Sequence, residues 1–149
     1  MRGTAIVGSI GVLALVLAAC GDESESKSGL PECTEANSLC TLIRLPADFN
    51  ETPDHLAAAF IEKVPPTGVP AAMAALIEDP AIGVDKPFTL TVDKCLEKPE
   101  EYYLYVILYV KGGGMWEPTP GKDYVGHSEK KKFGADPVNL PEITLTVAQ

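Results

Sequence analysis

The sequence predicts an all-β domain, an antiparallel β-sandwich of the immunoglobulin-like or transthyretin-like kind, and three observations carry that prediction. Two short segments alternate apolar and polar residues with a period of two, and a third is apolar or aromatic on both faces. Proline and glycine, 13 of each in 149 residues, punctuate the intervals between them.

A first strand is expected over Thr41 to Leu45. Leu56 to Lys63 follows Thr52-Pro53-Asp54, which has the grammar of a helix start, with Thr52 as cap and Pro53 at the first helical position. The segment is short and its surroundings are β, so it reads instead as a strand with Phe60 facing inward. Ala71 to Ile77, confined between Pro70 and Pro80, is alanine-rich, and its propensity predicts one short helix of a turn or two near 71–77. In the next segment Phe88, Leu90 and Val92 alternate with Thr89 and Thr91, a strand with one buried and one wet face. Tyr102 to Val110 has no polar face, as a central strand would have none, and is too rich in β-formers for a helix. Gly112-Gly113-Gly114 ends it, and Pro118 to Gly121 continues the turn. Asp123-Tyr124-Val125 begins a further strand, and Ile143, Leu145 and Val147 alternate with Thr144 and Thr146 in the last. The total is about six or seven strands. Trp116 follows every cysteine, so the Cys…Trp…Cys framework of a true immunoglobulin domain is absent and the inference stops at the sandwich.

Ahead of the domain, Arg2 precedes an apolar run from Ala5 to Val16 that closes on Leu17-Ala18-Ala19-Cys20. The run has the length of a signal-peptide core and falls short of the roughly 20 residues a spanning helix needs. Leu-Ala-Ala-Cys resembles the lipobox of bacterial lipoproteins. That resemblance implies cleavage before Cys20, diacylglycerol on its thiol and a lipid-anchored protein on the non-cytoplasmic side of the cell envelope. Two or more acyl chains anchor stably where one does so marginally. The expected organisation is a signal peptide over 1–19, a flexible acidic tether over 20–32 and the β-sandwich domain over 33–149.

Removing residues 1–19 takes away Arg2 as the sole charge, so the net of −9 becomes −10. So acidic a chain lacks the clustered cations that nucleic acid demands, and anionic lipid does not attract it. The expected partners are the lipid bilayer, through Cys20, and another envelope protein. With Cys20 acylated, Cys33, Cys40 and Cys95 remain, and an exported chain is expected to form one disulfide among them. Cys33–Cys40 closes a short loop, whereas either one with Cys95 makes a long-range clamp, and the pairing stays open. No CxxC pair exists and His55 and His127 stand far from the thiols, so neither a metal site nor any cofactor is expected.

Leu45-Pro46-Ala47-Asp48 at a strand end, Lys86-Pro87-Phe88-Thr89-Leu90 and the tyrosine-rich strand running into glycines are similar to the small β-sandwich lipoproteins related to type III secretion pilotins. That resemblance spans about Thr41 to Val147 and implies a chaperone for outer-membrane secretin assembly.

Catalytic grammar is sparse. His127-Ser128, with Asp123 nearby, suggests a hydrolase, but there is no G-x-S-x-G elbow and adjacent strand residues point to opposite faces. His127 and His55, the latter beside Asp54, read as solvent-exposed loop residues. The three glycines lack the Lys-Ser or Lys-Thr of a phosphate-binding loop. Asp22, Glu23 and Glu25 lack calcium-loop spacing. Glu129-Lys130-Lys131-Lys132 reads as a solvated strand edge guarded against pairing. Trp116, after three glycines and before Glu117-Pro118, is either an exposed contact anchor or, preferably, a plug folded over the open end of the sandwich. The expectation is therefore a non-enzymatic envelope lipoprotein that binds or supports another envelope component, with a pilotin-like chaperone and an unrecognised hydrolase as alternatives.

Overall fold

In the computed structural model the described residues are 37–94, 96, 98, 100–111 and 116–149. The signal peptide, Cys20, the tether, Cys33, Cys95 and Gly112 to Met115 lie outside them. The strands are β1 (Ser38–Arg44), β2 (His55–Ile61), β3 (Ala72–Glu78), β4 (Phe88–Asp93), β5 (Glu101–Tyr109), β6 (Tyr124–His127), β7 (Lys131–Lys132), β8 (Val138–Asn139), β9 (Ile143–Thr144) and β10 (Thr146–Val147). No helix occurs among the described residues. One sheet has the order β4-β1-β8, with β9 also on β1, and the other has the order β10-β6-β5-β2-β3, with β7 also on β5. The sandwich is therefore as the sequence predicts, with β5 at the middle of the larger sheet.

The helix expected near 71–77 is a strand instead. β3 pairs antiparallel with β2 from His55↔Glu78 to Phe60↔Ala72. Alanine favours the helix locally, but so short a segment cannot nucleate one alone, and the open edge of β2 satisfies its backbone. A register shift between Ala58 and Ala59 leaves Ala74 as an extra residue. This bulge brings Met73 and Leu76 onto one face of the sheet, opposite Ala59 and Ala57.

The expected count of six or seven strands rises to ten among the described residues because β3 and the two-residue β7 and β8 are added and the last expected strand is split into β9 and β10. β8 and β9 both run parallel to β1, at Leu39↔Val138 and Ile43↔Ile143. One extra residue separates the two registers, at Pro141, which has no N–H to give a ladder. Thr41 Oγ1 donates to the Pro141 carbonyl at 2.9 Å and steadies the break. After Leu145, whose N–H bonds Arg44 O at 2.8 Å, the chain changes sheets and β10 pairs with β6. Gly126 sits at that crossing. A Cβ there would lie 2.8 Å from Ile143 Cγ2, 2.9 Å from Leu145 Cδ2 and 3.1 Å from Thr144 O, so the close approach requires glycine.

Between the sheets, Leu39, Ile43, Phe88, Leu90 and Val92 meet Leu56, Phe60, Leu104, Val106 and Leu108, with Ile143 and Leu145 from the switching strand. Phe60 faces inward as expected and meets Phe133 edge-on at 5.3 Å. Lys94, beyond β4, is buried. Its ammonium donates to the carbonyls of Gly134 and Asp136, which ties down the 133–137 turn, and burial lowers its pKa.

Candidate functional site

β5 has no polar face because each of its faces is covered. Leu104, Val106 and Leu108 enter the core, while Tyr105, Ile107 and Tyr109 form a second cluster with Ala57 and Ile61 of β2 on the outside of the larger sheet. Tyr103, Val125 and Trp116 pack against that cluster. Trp116 therefore neither hangs free nor plugs the end of the sandwich, as the sequence suggested. It lies over the outer face of the sheet and donates its indole Nε1–H to Met73 Sδ on edge strand β3 at 3.1 Å. Its backbone has φ = 60°, a left-handed conformation uncommon for a bulky residue and costing on the order of 1 kcal/mol.

Asp123 fixes where this connection begins and ends. The carboxylate is buried and accepts from Val110 N at 3.0 Å through Oδ1 and from Thr119 N at 2.6 Å through Oδ2. Gly121, at φ = 73°, turns the chain back, and its N–H bonds Ala148 O at 2.8 Å.

Beside Trp116 the outer face opens into a groove of about 670 Å³. Tyr105 and Val125 line it from the sheet, Trp116 and Pro118 from one side, and Pro66 and Val147 from others. Glu117 and His127 add polar groups. The phenols of Tyr105 and Tyr109 are held neutral to higher pH than usual, chiefly by burial. The Tyr109 hydroxyl has no hydrogen-bond partner among the described residues, although the Trp116 backbone approaches it.

The residues suggestive of hydrolase chemistry are not brought together. Asp123 and His127-Ser128 stand at opposite ends of β6. Ser128 Oγ accepts from Leu104 N at 2.9 Å and donates to Glu129 O at 2.8 Å, bridging the ladder between β6 and β7. His127 closes β6 rather than lying in a loop. Its Nδ1–H donates to Ser128 O at 2.8 Å, and its ring meets Tyr103 edge-on at 5.5 Å. His55 is likewise no loop residue. It opens β2, stacks on Tyr109 at 4.3 Å and donates from Nδ1 to Asp54 Oδ2 at 3.0 Å. Lys131 and Lys132 form β7, exposed as expected but paired with Glu101 and Tyr102. No cluster of His, Cys, Asp and Glu among the described residues is arranged to hold a metal ion.

Cys40 is disulfide-bonded, to a partner outside the described residues. With no S–H left, Cys40 Sγ accepts from the Thr91 hydroxyl at 3.5 Å. This contact lies on the outward side of the smaller sheet, where Cys40 pairs with Thr91.

Compared with known protein families, curated proteins and solved structures, the chain matches none. The class it belongs to is defined by its own fold, an all-β two-sheet sandwich.

Proposed function

We propose that this chain is a lipid-anchored, non-enzymatic binding domain of the bacterial envelope, presenting the groove beside Trp116 to another envelope component. The groove is the observation that carries this reading, because it sets a tryptophan, tyrosine and proline lining beside a few polar groups on the outside of a rigid sheet. Such concave, aromatic-rich surfaces are where binding energy concentrates. The Leu17-Ala18-Ala19-Cys20 motif supports the address, since acylation of Cys20 places the domain at a membrane surface.

A photocrosslinking side chain at Val147, in the groove lining, tests the site in whole cells. The expected result is one discrete adduct that disappears when Trp116→Ala is added, with no such adduct from a crosslinker at the opposite-sheet position Asp93. Adducts of equal yield from both positions would overturn the groove as the binding surface. Intact-mass measurement of membrane-extracted protein tests the address separately. It should give a chain starting at an acylated Cys20, and Cys20→Ser should leave unprocessed, unacylated precursor.

A further inference from the structure

Met73 and Trp116 meet at the margin of the groove, and the contact is unusual on both sides. Met73 is 52% exposed, held on the outer face by the bulge in β3, so its thioether is open to reagents in solution. Trp116 keeps a left-handed backbone that costs energy and persists only where its surroundings impose it. Two things seat its side chain: packing on the outer-face cluster and the 3.1 Å bond from Nε1–H to Met73 Sδ.

We propose that Met73 is an oxidation site that controls the seating of Trp116, and with it the shape of the groove. The oxidant is a peroxide. A sulfur lone pair attacks one peroxide oxygen, an S–O bond forms as the O–O bond breaks, and the departing hydroxide takes the proton of the transferred hydroxyl and leaves as water. Sulfur loses two electrons and the peroxide gains two. The product sulfoxide is polar and hydrated, and methionine sulfoxide reduction reverses it. An oxygen placed between sulfur and indole would itself need about 2.7 to 3.2 Å from the nitrogen, which uses up the whole 3.1 Å now separating Nε1 from Sδ. Indole and sulfur therefore cannot keep their present separation, and the strained backbone of Trp116 favours the ring as the group that moves.

The sequence contains one tryptophan, so fluorescence of the full chain reports on Trp116 alone and needs no binding partner. The experiment titrates hydrogen peroxide against the full chain purified in detergent and follows Met73 by peptide mass mapping, with Met115→Leu as background to silence the neighbouring thioether. Conversion of Met73 to the sulfoxide should shift the emission to the red and raise acrylamide quenching to roughly twice the starting value, as expected for a ring moving from an apolar seat into water. Met73→Leu, which keeps the apolar contact and removes the sulfur, should abolish the response. Met73→Gln should show the shifted spectrum without peroxide. Complete oxidation of Met73 with unchanged emission would overturn the proposal. So would a full response in Met73→Leu, or a Met73 that stays reduced while free methionine in the same sample is oxidised.

Discussion

The two faces of β5 are buried to nearly the same degree and built to different standards. Leu104, Val106 and Leu108 are each fully buried and lie under an entire opposing sheet. Tyr105, Ile107 and Tyr109 are 4%, 0% and 1% exposed, yet the packing against them comes from β2 and from isolated side chains, Trp116, Tyr103 and Val125. The inner face is aliphatic from Leu104 to Leu108, and its one phenol, Tyr102, donates its hydroxyl to Lys98 O at 3.4 Å. The outer one collects the irregularities: an aromatic residue at positive φ and a buried phenol with no side-chain partner among the described residues. Equal burial thus conceals unequal redundancy. Irregularities of this kind gather where a surface serves something besides stability.

The largest effect should come from the inner face. Leu108→Ala removes a fully buried side chain from a core closed on all sides and should cost about 2 to 5 kcal/mol of the roughly 5 to 15 kcal/mol available to a domain of this size. Chemical denaturation of the full chain measures it. A variant as stable as the parent would mean that the core does not close over β5. Next in size is Gly126→Ala, where the new methyl meets backbone as well as side chains at the sheet-switching point. Overpacking of that sort costs about 1 to 3 kcal/mol. An unchanged denaturation midpoint would show that Ile143 and Leu145 can move aside.

The same comparison shows what the sequence made legible. β4 and β5 are legible because a two-residue period, or apolarity on both faces, is the direct imprint of sheet burial, whereas β2 is legible only from its shortness and its β surroundings. The shared core of Val106, Leu108, Phe88, Leu90, Ile143 and Leu145 is legible from the same periods as β4 and β5. The helix expected near 71–77 gives way to a strand because alanine propensity is a local signal, whereas the open edge of β2 is a tertiary one. The two-residue strands β7 and β8 leave no period to detect, and the parallel pairing of the C-terminal stretch with β1 joins residues about a hundred positions apart. The groove was missed although a signal existed. Both Ala57-Ala58-Ala59-Phe60-Ile61 and Tyr105 to Tyr109 are apolar on both faces, and two adjacent double-faced strands in a two-layer fold require cover on the outside. Trp116 was the evident candidate for that cover, but nothing local said which surface it reaches.

On the outer face the effects should shrink. Trp116→Ala removes a ring that is only partly buried, so it should cost about 1 to 2 kcal/mol, below the 3 to 5 kcal/mol typical of a fully buried aromatic. Denaturation side by side with Leu108→Ala makes the comparison direct. A loss as large as that of Leu108→Ala would show that the outer cluster belongs to the core after all.

The smallest expected effect is also the sharpest separation of the two faces. Tyr109→Phe deletes a buried hydroxyl that has no hydrogen-bond partner among the described residues, so at neutral pH it should be neutral or stabilising by up to about 1 kcal/mol. A loss instead would mean that the hydroxyl is bonded, with the Trp116 backbone as its partner. Alkaline pH extends the test. Burial is the leading cause raising the phenol pKa of Tyr102, Tyr105, Tyr109 and Tyr124, whereas the unfolded chain ionises its tyrosines at about pH 10. A raised folded pKa means that the native state holds its protons longer. Stability is therefore full below about pH 10 and falls as pH climbs from there through the folded values. Tyr109→Phe removes one of these groups, so its stability should fall less steeply than the parent's above about pH 10, with the two curves parallel at lower pH. Parallel curves across the whole range would show that the Tyr109 phenol is as accessible to base in the folded protein as in the unfolded chain, and that the cover over the outer face opens freely.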